Sequence, residues 1–166
     1  MIIQVGSNTL DCDVEATVAV FEAYTPNLPW TCDCSGCRNY RQARDLIYTD
    51  SVRGFFGQFG IDTRKPAEIC EGGLVDEVFH CFCWFHFVGS IVGASDPPIE
   101  IYRRRVTPVF GSGAVDISEI VRVDFHDNAQ LVPKCFEAEL LVQVECAFKI
   151  PWLLSEPWGS DKRPSA

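Results

Sequence analysis

The chain lacks an apolar run long enough to span a bilayer. Its longest, from Val78 to Val92, includes two histidines and stops short of the roughly 18 residues that suggest a transmembrane helix. The opening "MIIQVGSNTLDCD" lacks the basic n-region and the extended apolar core of a secretory signal, so a soluble, cytoplasmic chain is expected. Basic residues are also scarce. Fourteen Lys and Arg against 23 Asp and Glu leave a net charge of −9, which repels a phosphate backbone and argues against a nucleic-acid partner. There is no phosphate-binding loop either. "GFFGQFG" at Gly54–Gly60 has three glycines, but no preceding strand and no following Lys or hydroxyl in the required arrangement. No repeat or low-complexity segment interrupts the 166 residues, a length suited to one domain with its own core.

What the chain does have is sulfur. It carries nine cysteines, and without an export signal free thiols are the expected state. Three of them fall within six positions in "TCDCSGCRNY", residues 31–40. The simplest reading of that stretch is a turn entering a helix, with Asp33 or Ser35 as the cap, Gly36 permitting a tight backbone, and Asn39 and Tyr40 tying the turn down.

A metal clasp ranks next. Zinc takes four soft or borderline ligands in a tetrahedron, and Cys34-Ser-Gly-Cys37 has the spacing that supplies two of them from one knuckle. Cys32 adds a third. The fourth would come from Cys70, Cys81, Cys83, His80 or His86, and Cys32, Cys34, Cys37 and His86 form the candidate zinc set. A redox pair ranks third: a thiol at a helix N-terminus is acidified by the backbone N–H groups, but the βαβ crossover of a thioredoxin-like site is missing.

Hydrophobic periodicity outlines the fold. "ATVAVFEAY" (residues 16–24) is rich in β-branched and aromatic side chains and reads as a strand ended by Pro26. Tyr40, Ala43 and Ile47 share one face of a short helix. Val52, Phe55, Phe56 and Phe59 mark a second helix, with Asp50 or Ser51 as N-cap and Gly60 at its end.

"VFHCFCWFHFVGSI" (residues 78–91) is apolar on both faces, like a central strand, and "SDPP" (residues 95–98) breaks the chain after it. Val121, Val123 and Phe125 alternate with Arg122, Asp124 and His126. In the same way Phe136, Ala138, Leu140, Val142, Val144, Cys146 and Phe148 alternate with Glu137, Glu139, Gln143, Glu145 and Lys149. One buried and one wet face suit an antiparallel sheet. The expected architecture is a single α+β domain over residues 1–158, mainly an antiparallel sheet with two short central helices packed on one face, and a disordered tail over 159–166. "YRRR" (residues 102–105) is read as a solvated strand face.

The order and spacing of several stretches resemble those of a family of small bacterial proteins with a cysteine pair and an Asn-aromatic dipeptide ahead of a helix. The matching residues are Cys34, Cys37, Asn39 and Tyr40, then "FGIDTRKPAE" (59–68), "WFHFVG" (84–89) and "IPWLLSEP" (150–157). The resemblance brings no activity, cofactor or partner with it. This chain has Cys81, Phe82 and Cys83 where similar sequences often have Gly-Gly, so a metal role for either thiol would be its own.

No catalytic constellation is legible, and the chain is expected not to be an enzyme. His80, Trp84 and His86 would share a strand face as satisfied core residues, and Asp124 and His126 would be solvated. Two functions follow as expectations. The first is an acidic, immunity-like interaction protein that binds a basic protein partner; the alternative is a zinc-binding or thiol-redox protein using the Cys32/Cys34/Cys37 cluster.

Overall fold

In chain order the elements of the computed structural model are β1 (Ile2–Val5), β2 (Asn8–Cys12), α1 (Val14–Ala23), α2 (Ser35–Ile47), α3 (Asp50–Gly57), β3 (Glu68–Val75), β4 (Val78–Val92), β5 (Val115–Asp116), β6 (Val121–His126) and β7 (Leu141–Pro151). The structure describes residues 1–25, 31–93, 110–130, 132–136 and 140–160. The "SDPP" break, "YRRR", Glu137 to Glu139 and tail residues 161–166 therefore lie outside the described residues. Gly159 and Ser160 belong to a turn in which the Ser160 N–H donates to the Pro157 carbonyl at 3.2 Å.

The doubly apolar stretch forms the 15-residue β4, the centre of the fold. It pairs antiparallel with β7 from Val78↔Pro151 to Val88↔Leu141, and β7 continues to β6 and β5. The other edge of β4 is shared: β3 pairs with its first half and β2 with its last four residues. Gly89 is required where β2 joins, because a β-carbon there would lie 2.1 Å from the Asp11 carbonyl oxygen. With β1 outside β2, seven strands among the described residues form a sheet of order β1-β2-β4-β7-β6-β5 with β3 also on β4, every described pairing antiparallel. The molecule is one α+β domain, as the alternating patterns imply.

The two helices expected over the centre are α2 and α3, and they cover the face that carries the odd-numbered residues of β4. Phe56 meets Phe85 at a centroid distance of 5.2 Å, Phe59 stacks on Phe87 at 5.1 Å, and Tyr40 stacks on Phe148 at 6.1 Å. Each buried aromatic contributes on the order of 1.5–3 kcal/mol of apolar transfer, and ring pairs in these geometries add about 0.5–1.5 kcal/mol. Thr49, rather than Asp50 or Ser51, caps α3, its hydroxyl facing the Val52 N–H at 3.5 Å. Gly60, with φ +75°, follows the helix end as expected.

The stretch read as a strand at residues 16–24 is instead helix α1. Asp13 caps it by accepting from the Ala16 N–H at 2.9 Å, and Thr17 and Phe21, four apart, are its buried residues. The decisive contacts are tertiary. Thr17 Oγ1 bonds back to the Asp13 carbonyl at 2.8 Å and accepts from the Val88 N–H at 3.0 Å, filling the gap between β3 and β2 along the edge of β4. Phe21 packs edge-on against Phe136 at 5.6 Å. Serving that gap outweighs the β-propensity of the valines.

The second correction concerns the face expected to be wet. Asp124, Gln143 and Glu145 are 3%, 5% and 8% exposed. The chain on either side of β6 covers them: the Gly111 N–H donates to Asp124 Oδ2 at 2.6 Å, and the Gln130 N–H to Gln143 Oε1 at 2.7 Å. Polar groups enter the interior here because each finds a partner.

Candidate metal centre at the start of the second helix

The cysteine cluster stands where the chain enters α2. Cys34, in an extended conformation with φ −62° and ψ 152°, is the N-cap, and its Sγ takes the Cys37 N–H at 3.5 Å. The cap is therefore the thiol itself and not Asp33 or Ser35. Cys37 lies one turn further on, and Cys32 reaches back from the preceding bend. The three Sγ atoms lie within 4.8 Å of one another, with Cys32 and Cys34 at 3.3 Å.

Several contacts hold the cluster in place. Arg41, a turn beyond Cys37, donates from Nη1 to the Cys32 carbonyl at 2.7 Å and from Nη2 to Asp33 at 3.3 Å, pinning the Cys32 arm to the helix. Asn39, fully buried, donates to the Pro151 carbonyl at 3.1 Å and accepts from the Leu153 N–H at 2.6 Å, fixing α2 to the end of β7. Tyr40 Oη meets Tyr48 Oη at 2.7 Å, and Arg38 pairs with Glu156 at 2.6 Å. Asn39 and Tyr40 thus anchor the helix to the sheet and the core.

The thiols differ in acidity. Hydrogen bonds from the Cys34 backbone N–H and then its side chain, together with the Arg41 charge, pull Cys32 below the ordinary thiol range. Burial pushes Cys34 up, and burial together with the neighbouring sulfurs pushes Cys37 up further. The cluster thus has one acidified sulfur and two that hold their protons, at a helix end whose dipole favours negative charge.

This donor set could hold a metal ion. A tetrahedral zinc ion with bonds of about 2.3 Å would set sulfur atoms about 3.8 Å apart; the three present lie within 4.8 Å of one another, one pair at 3.3 Å. Chemically they can hold a thiophilic cation.

His86, the fourth residue of the candidate set, is not brought to them. It lies on the opposite face of the sheet, its Nε2 2.9 Å from the Gln130 carbonyl and its ring 5.6 Å from Phe136. In register it faces Gln143, whereas α2 is tied to Pro151, eight residues along β7 and about 26 Å away at the strand's rise. Burial depresses its pKa, as for a neutral core imidazole.

That opposite face carries a polar layer not anticipated from the alternation. Trp84, Glu145 and Asp124 form one cross-strand row, and His86, Gln143 and His126 the next. Trp84 Nε1 donates to Glu145 Oε1 at 3.1 Å, while His126 Nε2 stands 3.2 Å from Glu145 Oε2 and 3.8 Å from Asp124 Oδ2. Burial alone would lower the His126 pKa, but the Glu145 hydrogen bond and the charges of Asp124, Glu145 and Asp127 raise it. The available signal was a polar pair spaced by two on each of three strands, which reads equally well as solvation.

No known family model, curated protein or solved structure matches this chain. Among the described residues no helix is long and apolar enough to cross a membrane.

Proposed function

We propose that the protein binds a zinc ion through Cys32, Cys34 and Cys37, and that the ion clasps the segment entering α2 against the end of the sheet. The observation that carries this reading is the gathering of three Sγ atoms within 4.8 Å at a helix N-terminus, with a thiol as the cap. The role is structural rather than catalytic. The aromatic core is self-sufficient, so the ion stiffens the α2 entrance and does not drive folding of the whole domain. Untagged protein purified under reducing conditions and offered zinc is expected to retain one ion per chain by elemental analysis, and Cys34→Ser to retain far less. Zinc well below stoichiometry in the parent, or three cluster thiols that titrate freely with zinc present, would overturn the reading.

A second reading rests on the net charge of −9: an acidic surface that binds a basic protein. It is tested by screening cationic proteins for complexes whose affinity falls steeply between low and physiological salt. Complexes insensitive to salt would remove it.

A further inference from the structure

The three sulfurs leave one corner of a zinc tetrahedron to fill, and the pleat of the sheet limits what can fill it. Residues facing one another across antiparallel strands share a side. Cys70 faces Phe82, and His80 and His86 lie on the same even-numbered side of β4, away from α2. On the side beneath α2 are Cys81 and Cys83, with Glu71 directly opposite Cys81. Cys83 is wholly buried below Tyr48, its Sγ 3.9 Å from the Tyr48 hydroxyl, and faces Cys146 across the strands.

Glu71 differs from both thiols in what it touches. Its carboxylate lies against Gly36, inside the Cys34-Ser-Gly-Cys37 turn. A β-carbon at position 36 would fall 2.1 Å from Glu71 Oε1 and 2.6 Å from Cδ. The Glu71 head group occupies the place that a side chain at position 36 would take, and β3 delivers an acid against the turn that holds the two cysteines of the knuckle.

We propose that Glu71 is the fourth ligand, giving a Cys3Glu zinc site; the proposal rests on the zinc reading above. The carboxylate is not among the atoms that lie within 4.8 Å of one another, so ligation requires the Glu71 side chain to turn from Gly36 toward the three sulfurs. A carboxylate bonds zinc at about 2.0–2.2 Å and, as a hard ligand, selects Zn2+ over monovalent copper, which three thiolates alone would favour. The Arg41 guanidinium beside Cys32 and the N-terminus of α2 supply the positive field that four anionic ligands need.

The test uses Co2+ as a spectroscopic probe and Zn2+ competition against a chelator, on the full chain and on Glu71→Gln, Glu71→Cys and Cys81→Ala. Glu71→Gln keeps the shape against Gly36, so a thermal melt of the metal-free variant like the parent's separates ligation from folding. Expected results are a tetrahedral cobalt spectrum for the parent, a loss of affinity of about tenfold or more for Glu71→Gln with altered ligand-field bands, and added sulfur charge-transfer intensity for Glu71→Cys. Cys81→Ala should leave the spectrum unchanged. Parent-like affinity and spectrum in Glu71→Gln, or loss of the site in Cys81→Ala alone, would overturn the Glu71 assignment while leaving the cysteines in place. Failure of the parent to take up either metal would overturn both proposals.

Discussion

Zinc uptake should be steeply linked to pH, and the slope follows from the thiols' acidities. Cys34 and Cys37 are both raised above the ordinary thiol value of 9.0, so both carry protons throughout pH 7 to 8 and must release them to bind an ion. Two protons lost per ion change the dissociation constant by about 100-fold per pH unit, or about 2.7 kcal/mol. Cys32, already lowered, adds at most one further proton. Affinity therefore rises with pH, with a logarithmic slope between about two and three. Chelator competition at half-unit steps over this range measures the slope, and calorimetry in two buffers of different ionisation enthalpy counts the protons independently. A slope of one or less would refute the idea that both helix thiols join the ion in the thiolate form.

Other consequences bear on the scaffold. Replacing Asn39 by Ala strands the Leu153 N–H and the Pro151 carbonyl at a buried position, and should cost about 2–4 kcal/mol in denaturant unfolding; a cost below about 1 kcal/mol would mean that Asn39 does not fasten α2 to β7. Phe56→Ala opens a cavity among Tyr48, Phe55 and Phe85 and should cost about 3–5 kcal/mol by the same measurement, with a negligible change counting against α3 as part of the core. His126 is raised in the folded state, so its contribution to stability is fully present below its unfolded value of about 6.5 and is lost as pH rises through the higher folded value. Melting temperatures of the parent should fall through that window relative to His126→Gln, and parallel profiles would show that its pairing with Glu145 and Asp124 is energetically silent.

The second half of the fold was readable because a strand's side chains alternate with a period of two. Val121, Val123 and Phe125, and Val142, Val144 and Cys146, each occupy one side of a strand, and the doubly apolar run from Val78 marks the centre. The same kind of evidence located α2 and α3 from Tyr40, Ala43 and Ile47 and from the phenylalanines after Val52. It failed at α1, where valines, alanines and a phenylalanine suit either state, and a gap on the edge of β4, fifty residues or more away in sequence, chose the helix. The β1–β2 hairpin also went unread. Its strands of four and five residues are too short to display a period, and β2 is secured by β4 near the middle of the chain.

For the candidate site, local sequence determined that Cys34 and Cys37 stand one helical turn apart with Cys32 near them, since spacing along a backbone is a local property. Which side chains of the sheet approach that turn was decided by the pairing of β3 with β4, which turns Cys70 and His80 to the other side and brings the Glu71 carboxylate against Gly36. The burial of Asp124 and Glu145 was decided in the same way: a polar residue alternating with apolar ones looks identical whether water or a folded-over segment covers it, and only the hydrogen bonds from Gly111 and Trp84 distinguish the two. Periodicity assigns a residue to a face, but what covers that face depends on chain brought from far away, and no local pattern encodes that approach.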